Sequence, residues 1–547
     1  MAVKYEELVK NFSWDEVKTF YAGSPDGIMN MAQEACDRWA DDPDRIAIYW
    51  EDSLGNTETW TYQKLKEKSD KMANGLCSLG IKKGDRVAGM LGKDMELVIT
   101  ILAVWKIGAI YVPLFTAFGP DAIMHRATDS EISLLVTNRE QISKVEDRNP
   151  SFQVLLTDGI TKDGKSFWEF VESFPDQFEM EPTNGLDPSV IQYTSGSTGL
   201  PKGSIAAHKG IYNLYPYLKY ALHMEDDDVF FGAADLGWSN GLLVCTFGPL
   251  SLGIKTVVYK GPFQAEKVFQ IMEKYGVTNF SYIPTAYRMM MAAGTDVLKK
   301  YNIKVRKFSS AGEPLDAEVT RFFQDNFGRA IYDHYGATEI GMIVNNYNIT
   351  DMPIKPGSMG LPLPGYKVGL IDEQGNEVKQ GQVGQIALDT TMGEGLKFRG
   401  YWNNPEKSSE KIRGKWLLSG DLAKQDEDGY FWFQGRADDV ISSAGYRIGP
   451  TEVEASLMEH PAVLEAAVVG KPDKTKGEIV KAYIVLNQGY EPSDELSETL
   501  SLFVKNKLSK HQYPKEIEFI DSLPKTQSGK TQRFLLKKRE YEKQANR

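Results

Sequence analysis

From Tyr193 to Gly203 the chain reads YTSGSTGLPKG, with three glycines, the hydroxyl residues Thr194, Ser195, Ser197 and Thr198, and Lys202 near the end. Gly196 and Gly199 let backbone N–H groups come close to an anion, the hydroxyls add donors, and Lys202 adds a point charge. Together these are the parts of a loop that wraps phosphates. A flexible surface loop has the same composition. The spacing is not GxxxxGK[ST], which disfavours an ordinary P-loop kinase or ATPase. GxSxG is absent as well, so a serine hydrolase would lack its nucleophile elbow.

Further along, YGATE (335–339) sets a flat ring, Tyr335, beside a donor hydroxyl, Thr338, and a carboxylate, Glu339. Glu339 is the oxygen donor that a hard cation such as Mg²⁺ prefers. SAGEP (310–314) packs Gly312, Glu313 and Pro314 into a compact turn. Asp421, in SGD, has the acceptor pair that two ribose hydroxyls need, and Arg436 has donors for ribose or phosphate oxygens. Taken singly, each of these residues is more often structural.

These residues need a scaffold. Strand–turn–helix patterns recur through about the first 430 residues, as in Arg86–Met90 then Met95–Trp105, and Ile110–Val112 then the segment from Pro120. This alternation predicts an α/β fold with parallel sheets covered by helices. Short β-rich runs at Thr256–Tyr259, Val305–Ser309 and Val368–Asp372 predict further strands in several sheets. After about Gly435 the pattern becomes a small α+β one: a helix over Thr451–Met458, strands over Val463–Val469 and Ile479–Val485, and a helix from about Ser493 to Leu508. We divide the chain into 1–434, a hinge at 435–439, and 440–547, the last being large enough to hold its own core. The basic end, KKREYEKQANR, reads as a solvated helix.

The 547 residues are 41% hydrophobic and 25% charged, a folded globular composition. A formal charge of −12 removes any global attraction for nucleic acid or anionic membrane. Cys36, Cys77 and Cys245 lie far apart, without CxxC or a Cys/His cluster, so neither a disulfide framework nor a zinc site is signalled. The apolar runs 97–105 and 242–254 end at Lys106 and Lys255, short of the about 20 residues a membrane helix needs. They read as buried core. The first residues lack an apolar signal-peptide region, so we expect a cytoplasmic enzyme of prokaryotic type with reduced thiols.

Taken in order, YTSGSTGLPKG, SAGEP, YGATE, SGD, GRADD (435–439), GYRIGPTEVE (445–454) and PKTQSGK (524–530) resemble the acyl-adenylate-forming superfamily over essentially the whole chain. That superfamily includes acyl-CoA synthetases, luciferases and peptide-synthetase adenylation domains. The resemblance implies a large N-terminal domain of several sheets, binding ATP and the acyl group, and a small mobile C-terminal domain carrying the catalytic lysine, Lys530. It also implies ATP and CoA as co-substrates, Mg²⁺ on Glu339, and catalysis by Lys530, Thr338 and Glu339. The nucleotide would be held by residues 194–199, Lys202, Gly312, Glu313, Pro314, His334, Tyr335, Gly336, Ala337, Thr338, Glu339, Asp421, Arg436, Arg447 and Lys530. For His334, packing or hydrogen bonding is the stronger reading.

In such a reaction a carboxylate attacks the α-phosphate, pyrophosphate leaves, and the CoA thiol then takes the acyl group and releases AMP. The attacking carboxylate is already ionised, so no protein nucleophile or dedicated base is required. The resemblance further implies a turn about Asp438 that withdraws Lys530 and brings Ala444, Gly445 and Tyr446 to the pantetheine, with Lys476 as a weaker contact for a CoA phosphate.

SSAGYRIGPTEVEASLMEHPAV, KGEIVKAYIVL and YPKEIEFIDSLPKTQSGKTQR look closest to medium-chain acyl-CoA synthetases. Acetate-specific relatives place a tryptophan where this chain has Gly336. An open acyl pocket bounded by Trp238, Gly241, Tyr282 and Gly336 is therefore expected, for a short- to medium-chain acid, straight or branched. The alternatives are an acetyl-CoA synthetase, or an adenylation enzyme that loads a carrier-protein thiol.

Overall fold

The structure, a computed structural model, describes residues 3–148, 150–160, 164–194, 201–313, 315–350, 352–392, 394–395, 398–437, 439–443, 446–473, 476–508, 512–525 and 531–545. The chain divides into two compact units. The larger comprises 1–194, 201–368 and 388–417, and the smaller comprises 195–200, 369–387 and 418–547.

Two sheets organise the larger unit. One has six strands in the order Gln153–Leu156, Leu134–Thr137, Arg86–Met90, Ile110–Pro113, Pro188–Thr194 and Lys202–Ala207. All its pairs are parallel except the last, which is antiparallel. The other has nine strands, with six parallel strands at its centre: Ile331–Ala337, Lys307–Ala311, Asn279–Tyr282, Val229–Gly232, Lys255–Lys260 and Ile46–Asp52. Antiparallel strands complete both of its edges. The alternating patterns of the sequence predict this α/β arrangement, because parallel neighbours need crossover connections that place helices on the sheet faces.

The helix Met95–Lys106 is apolar on all sides and is buried along nearly its whole length, as a helix without a polar face must be. The sequence reading ended this run at Lys106, yet Lys106 is itself fully buried. Its ammonium meets Asp70 at 2.6 Å and Asp37 at 2.9 Å, the paired condition that lets a charge remain inside. Similarly, the strand expected over 305–309 lies at Lys307–Ala311. Lys307 enters the sheet because Glu225 and Asp228 neutralise it at 2.6 and 2.9 Å. The apolar run from Leu242 forms a buried π-helix, Asn240–Phe247, and then the short helix Gly248–Ser251.

The smaller unit holds most of a five-stranded sheet built from Val368–Ile371, Gly384–Asp389, Trp416–Gln425, Ile412–Arg413 and Phe431–Arg436. A second sheet joins Tyr446–Ile448, Ile441–Ser443, Gly477–Leu486 and Val463–Asp473, with Glu516–Phe519 paired to Gly477–Leu486. The helices Pro450–Met458, Asp494–Lys507 and Arg533–Ala545 accompany it. Ser493 caps the second of these, its side chain accepting from Leu496 N, so the sequence-read start at Ser493 has a physical cause. Ile441, Val453, Leu457, Val468, Ile484, Leu500 and Val504 form the local core. By compactness, 418–434 and 369–387 group with this unit, although the sequence division assigned them to the first domain. The strand Trp416–Gln425 pairs with Phe431–Arg436 and so ties these segments together.

Candidate active site

In the larger unit the expected site residues cluster at the carboxyl ends of parallel strands, where open α/β sheets bind ligands. Thr194 ends one strand, Tyr282 another, and Gly312 and Glu313 follow Lys307–Ala311. Tyr335, Gly336 and Ala337 end the strand Ile331–Ala337, and Thr338 and Glu339 occupy the turn into Gly341–Asn345. Thr338 also lines a small cavity with Gln192, Ser204, Ser239 and Leu242.

Glu339 is 8% exposed, and its Oε1 accepts a hydrogen bond from Tyr401 Oη at 2.7 Å. The same tyrosine ring lies 5.5 Å from Lys202 Nζ, within cation–π reach. Tyr401 thus links the lysine of the glycine-rich segment to the carboxylate of YGATE. The segment 399–402 reaches that position by pairing beside Lys202–Ala207: Ile205 N donates to Gly400 O at 3.0 Å, and Trp402 N donates to Gly203 O at 2.7 Å. Sequence reasoning missed Tyr401, because only a long-range backbone pairing puts it there. Glu313 accepts from Thr285 Oγ1 at 2.8 Å and pairs with Arg288 at 3.5 Å.

Packing defines the surroundings of three expected residues. His334 occupies the packed, hydrogen-bonded place that was its stronger reading: it is buried, Tyr217 Oη lies 3.0 Å from Nδ1, and Asn346 O lies 3.1 Å from Nε2. A carbonyl can only accept, so Nε2 carries the proton and Nδ1 accepts from the tyrosine. Burial holds this imidazole neutral, with its pKa lowered to about 3.

Gly336 is required by the backbone itself. A Cβ there would fall 2.4 Å from Gly341 O and 2.6 Å from Met342 Sδ, so the irregular pairing of this hairpin is what demands glycine. Gly241 is a backbone contact of the same kind, its Cβ position lying 1.8 Å from Asp235 O. The apolar side of the region is aromatic instead. Trp238 packs with Phe115 and Phe118, at centroid distances of 5.3 and 6.5 Å, and Tyr282 packs with Phe263 at 5.4 Å. Burial raises the Tyr282 phenol to about 12.

In the smaller unit, Asp421 and Arg436 face each other across paired strands. Arg436 Nη1 donates to Asp421 Oδ1 at 3.2 Å, and Asp421 N donates to Ser419 Oγ at 2.9 Å. Lys476 is exposed and belongs to a basic group that the sequence reading did not assemble. Tyr513 carries Lys515 3.5 Å and Lys505 5.3 Å from its ring centroid. The Lys515 hydrogen bond and the Lys515, Lys505 and Lys476 charges pull its phenol below the ordinary 10. Tyr446 and Arg447 lie in the strand Tyr446–Ile448. Ser195, Gly196, Ser197, Thr198, Gly199, Pro314, Asp438, Ala444, Gly445 and Lys530 lie outside the described residues.

Tyr401 thus joins a lysine at the edge of the six-stranded sheet to a hairpin carboxylate of the nine-stranded sheet, an arrangement suited to a nucleotide-dependent ligase. Residues 36–402 match the AMP-binding enzyme family and 452–530 match the AMP-binding enzyme C-terminal domain, so the chain belongs to the AMP-binding enzyme family. It is 40% identical to an acetyl-coenzyme A synthetase of Bacillus subtilis, over 97% of this chain and 94% of that one. It is 34% identical to the human mitochondrial acyl-coenzyme A synthetase ACSM3, over 97% and 93%. A crystal structure of Brucella canis acyl-CoA synthetase superposes with a TM-score of 0.77 at 41% identity, covering 99% of both chains. The chain is therefore an acid–thiol ligase that joins a carboxylic acid to CoA through an acyl-adenylate, with ATP and CoA as substrates. Among the described residues no helix is long and apolar enough to cross a membrane.

Proposed function

We propose that this ligase activates short- to medium-chain carboxylic acids, straight or branched. The observation that carries the site assignment is the Lys202–Tyr401–Glu339 link, which supports a phosphate end for the nucleotide beside Thr338. Lys202 and the hydroxyls of residues 194–198 take phosphate oxygens, Tyr335 and 312–314 take the adenine, and Asp421 and Arg436 take the ribose. A buried carboxylate steadied by one phenol suits a hard cation, so Glu339 is the Mg²⁺ ligand. When bound, Mg²⁺ supplies charge neutralisation for the phosphates.

As the carboxylate oxygen bonds to the α-phosphorus, the bond to pyrophosphate breaks. Thr338 Oγ1 and the Lys530 ammonium donate to the oxygens on which charge accumulates. The CoA thiolate then attacks the acyl carbon, and AMP leaves with the bonding pair. Between the steps the C-terminal segment turns at 435–439, with Asp438 as pivot. Ala444, Gly445 and Tyr446 then meet the pantetheine, while Lys476, joined by Lys505 and Lys515, takes CoA phosphates. Arg447 contacts the adenylate.

Aromatic surfaces at Trp238 and Tyr282 and the adaptable Met342 support an acyl group longer than acetate. Acetate is the second reading, favoured by the likeness to the Bacillus subtilis acetyl-coenzyme A synthetase. Three free, unpaired cysteines support a cytoplasmic setting. The test is a panel of acetate through octanoate with isobutyrate, 2-methylbutyrate and benzoate, assayed with ATP, Mg²⁺ and CoA for AMP and thioester, beside Lys530→Ala. Thioester should peak beyond acetate and vanish in the variant. A peak at acetate would refute the chain-length assignment, and pyrophosphate release without thioester would point to a carrier-protein thiol.

A further inference from the structure

The last helix, Arg533–Ala545, starts three residues after Lys530, and its first side chain is firmly held. Arg533 Nε donates to Glu454 Oε1 at 2.7 Å, and Nη2 donates to Glu454 Oε2 at 2.5 Å, a two-point grip. Its remaining arm, Nη1, donates to Asp439 Oδ2 at 3.2 Å. The acceptor is itself fixed: Glu454 is 5% exposed, sits on the helix Pro450–Met458, and accepts from Val468 N at 2.8 Å in the neighbouring strand. On the other side, Lys525 and Thr531 form a backbone bridge, and Gln532 N donates to Pro524 O at 2.8 Å. These contacts close the base of the segment that carries Lys530. Asp439 directly follows Asp438 in the chain.

One guanidinium therefore joins the foot of the lysine segment, a core helix and the residue next to the hinge. We infer that Arg533 is a positioning residue, holding the base of the Lys530 segment and the hinge-side turn in one rigid frame. This rests on the reading of Lys530 as the adenylation lysine and of 435–439 as the hinge. Adenylation needs an ammonium placed to within about 1 Å, and an error of that size costs on the order of 10²-fold in rate. Thioester formation does not use Lys530 and makes no such demand. A salt bridge that only stabilised the fold would affect both steps alike.

The experiment measures two half-reactions separately, using the acid turned over fastest in the panel. One is acid-dependent ATP–pyrophosphate exchange, and the other is thioester formation from the preformed acyl-adenylate and CoA. In Arg533→Gln, the exchange kcat should fall on the order of 10²-fold, with KM for ATP and the thioester step little changed. Arg533→Lys should recover part of the loss. Asp439→Asn should cause a smaller loss in exchange, and no further loss when added to Arg533→Gln, because both remove the same tie. Should Arg533→Gln fold poorly, the pair Arg533→Gln with Glu454→Gln keeps a neutral amide contact and is tested in the same way. Equal loss in both half-reactions, or additive effects of Arg533 and Asp439, would overturn the inference. If Lys530→Ala kept full exchange, the underlying role of Lys530 would fall first, a result visible without any Arg533 variant.

Discussion

Acid should weaken the fold at His334 without that residue taking part in catalysis. Its Nδ1 accepts from Tyr217 and its Nε2–H donates to Asn346 O, so a second proton would have to enter a buried site where both ring nitrogens are already engaged. Burial lowers its pKa from the ordinary 6.5 to about 3. A folded-state pKa below the unfolded value means that the unfolded chain binds the proton more readily. The associated stability is complete above about pH 6.5 and is lost as pH falls from there toward about 3. Between pH 7 and pH 5 this one imidazole should cost about 2 kcal/mol.

His208, lowered to about 3 by the same cause, adds a similar loss. Asp333, whose carboxyl burial holds well above the ordinary range, works in the opposite direction. The clean measurement is therefore a difference. Urea unfolding of wild type and His334→Asn at pH 7 and pH 5, followed by tryptophan fluorescence, should show about 2 kcal/mol less pH dependence in the variant. The pH profile of adenylation should stay the same in whatever variant protein remains folded. Equal pH dependence of unfolding in the two proteins would refute the buried neutral imidazole. A profile whose acidic limb moved with the substitution would return His334 to the reaction.

Tyr401→Phe keeps the ring beside Lys202 and removes only the hydroxyl that holds Glu339. Leaving that carboxylate short of a charge-assisted bond should cost about 1.5–3 kcal/mol, read as a lower melting temperature together with slower pyrophosphate exchange; a variant matching wild type in both would show the hydroxyl to be idle. Gly336→Ala pushes a methyl against Gly341 O and Met342, so about 1–3 kcal/mol of strain is expected. Its acid preference should be unchanged in the panel, whereas a shift toward acetate at wild-type stability would restore Gly336 as the gauge of pocket width.

Much of the candidate site was legible because its chemistry is local. A glycine–hydroxyl–lysine segment, a Thr-Glu turn and a final Gly-Lys segment declare themselves through residue types within a few positions, and their order carried the family. The alternation of strands and helices was legible for a similar reason: the apolar period follows directly from which faces must be buried. Element limits were less so: the helix Met95–Lys106 takes in the lysine that looked like its stop, and the strand expected over 305–309 begins at Lys307, each lysine lying inside because distant carboxylates neutralise it.

Sequence by itself determined the α/β class and the reaction type, and it named the residues proposed to handle the nucleotide. The tertiary structure decided which neighbours those residues meet. It gave His334 its hydrogen-bond partners, Tyr217 and Asn346, and it set the Cβ side of Gly336 against the Gly341 carbonyl. It also brought in Tyr401, some 60 residues beyond Glu339, and joined Arg533 to Glu454 and Asp439. The physical reason is the same in each case. A residue's type fixes what it can donate, accept or carry, but burial and long-range backbone pairing choose its partner, and neither leaves a mark in the adjoining sequence.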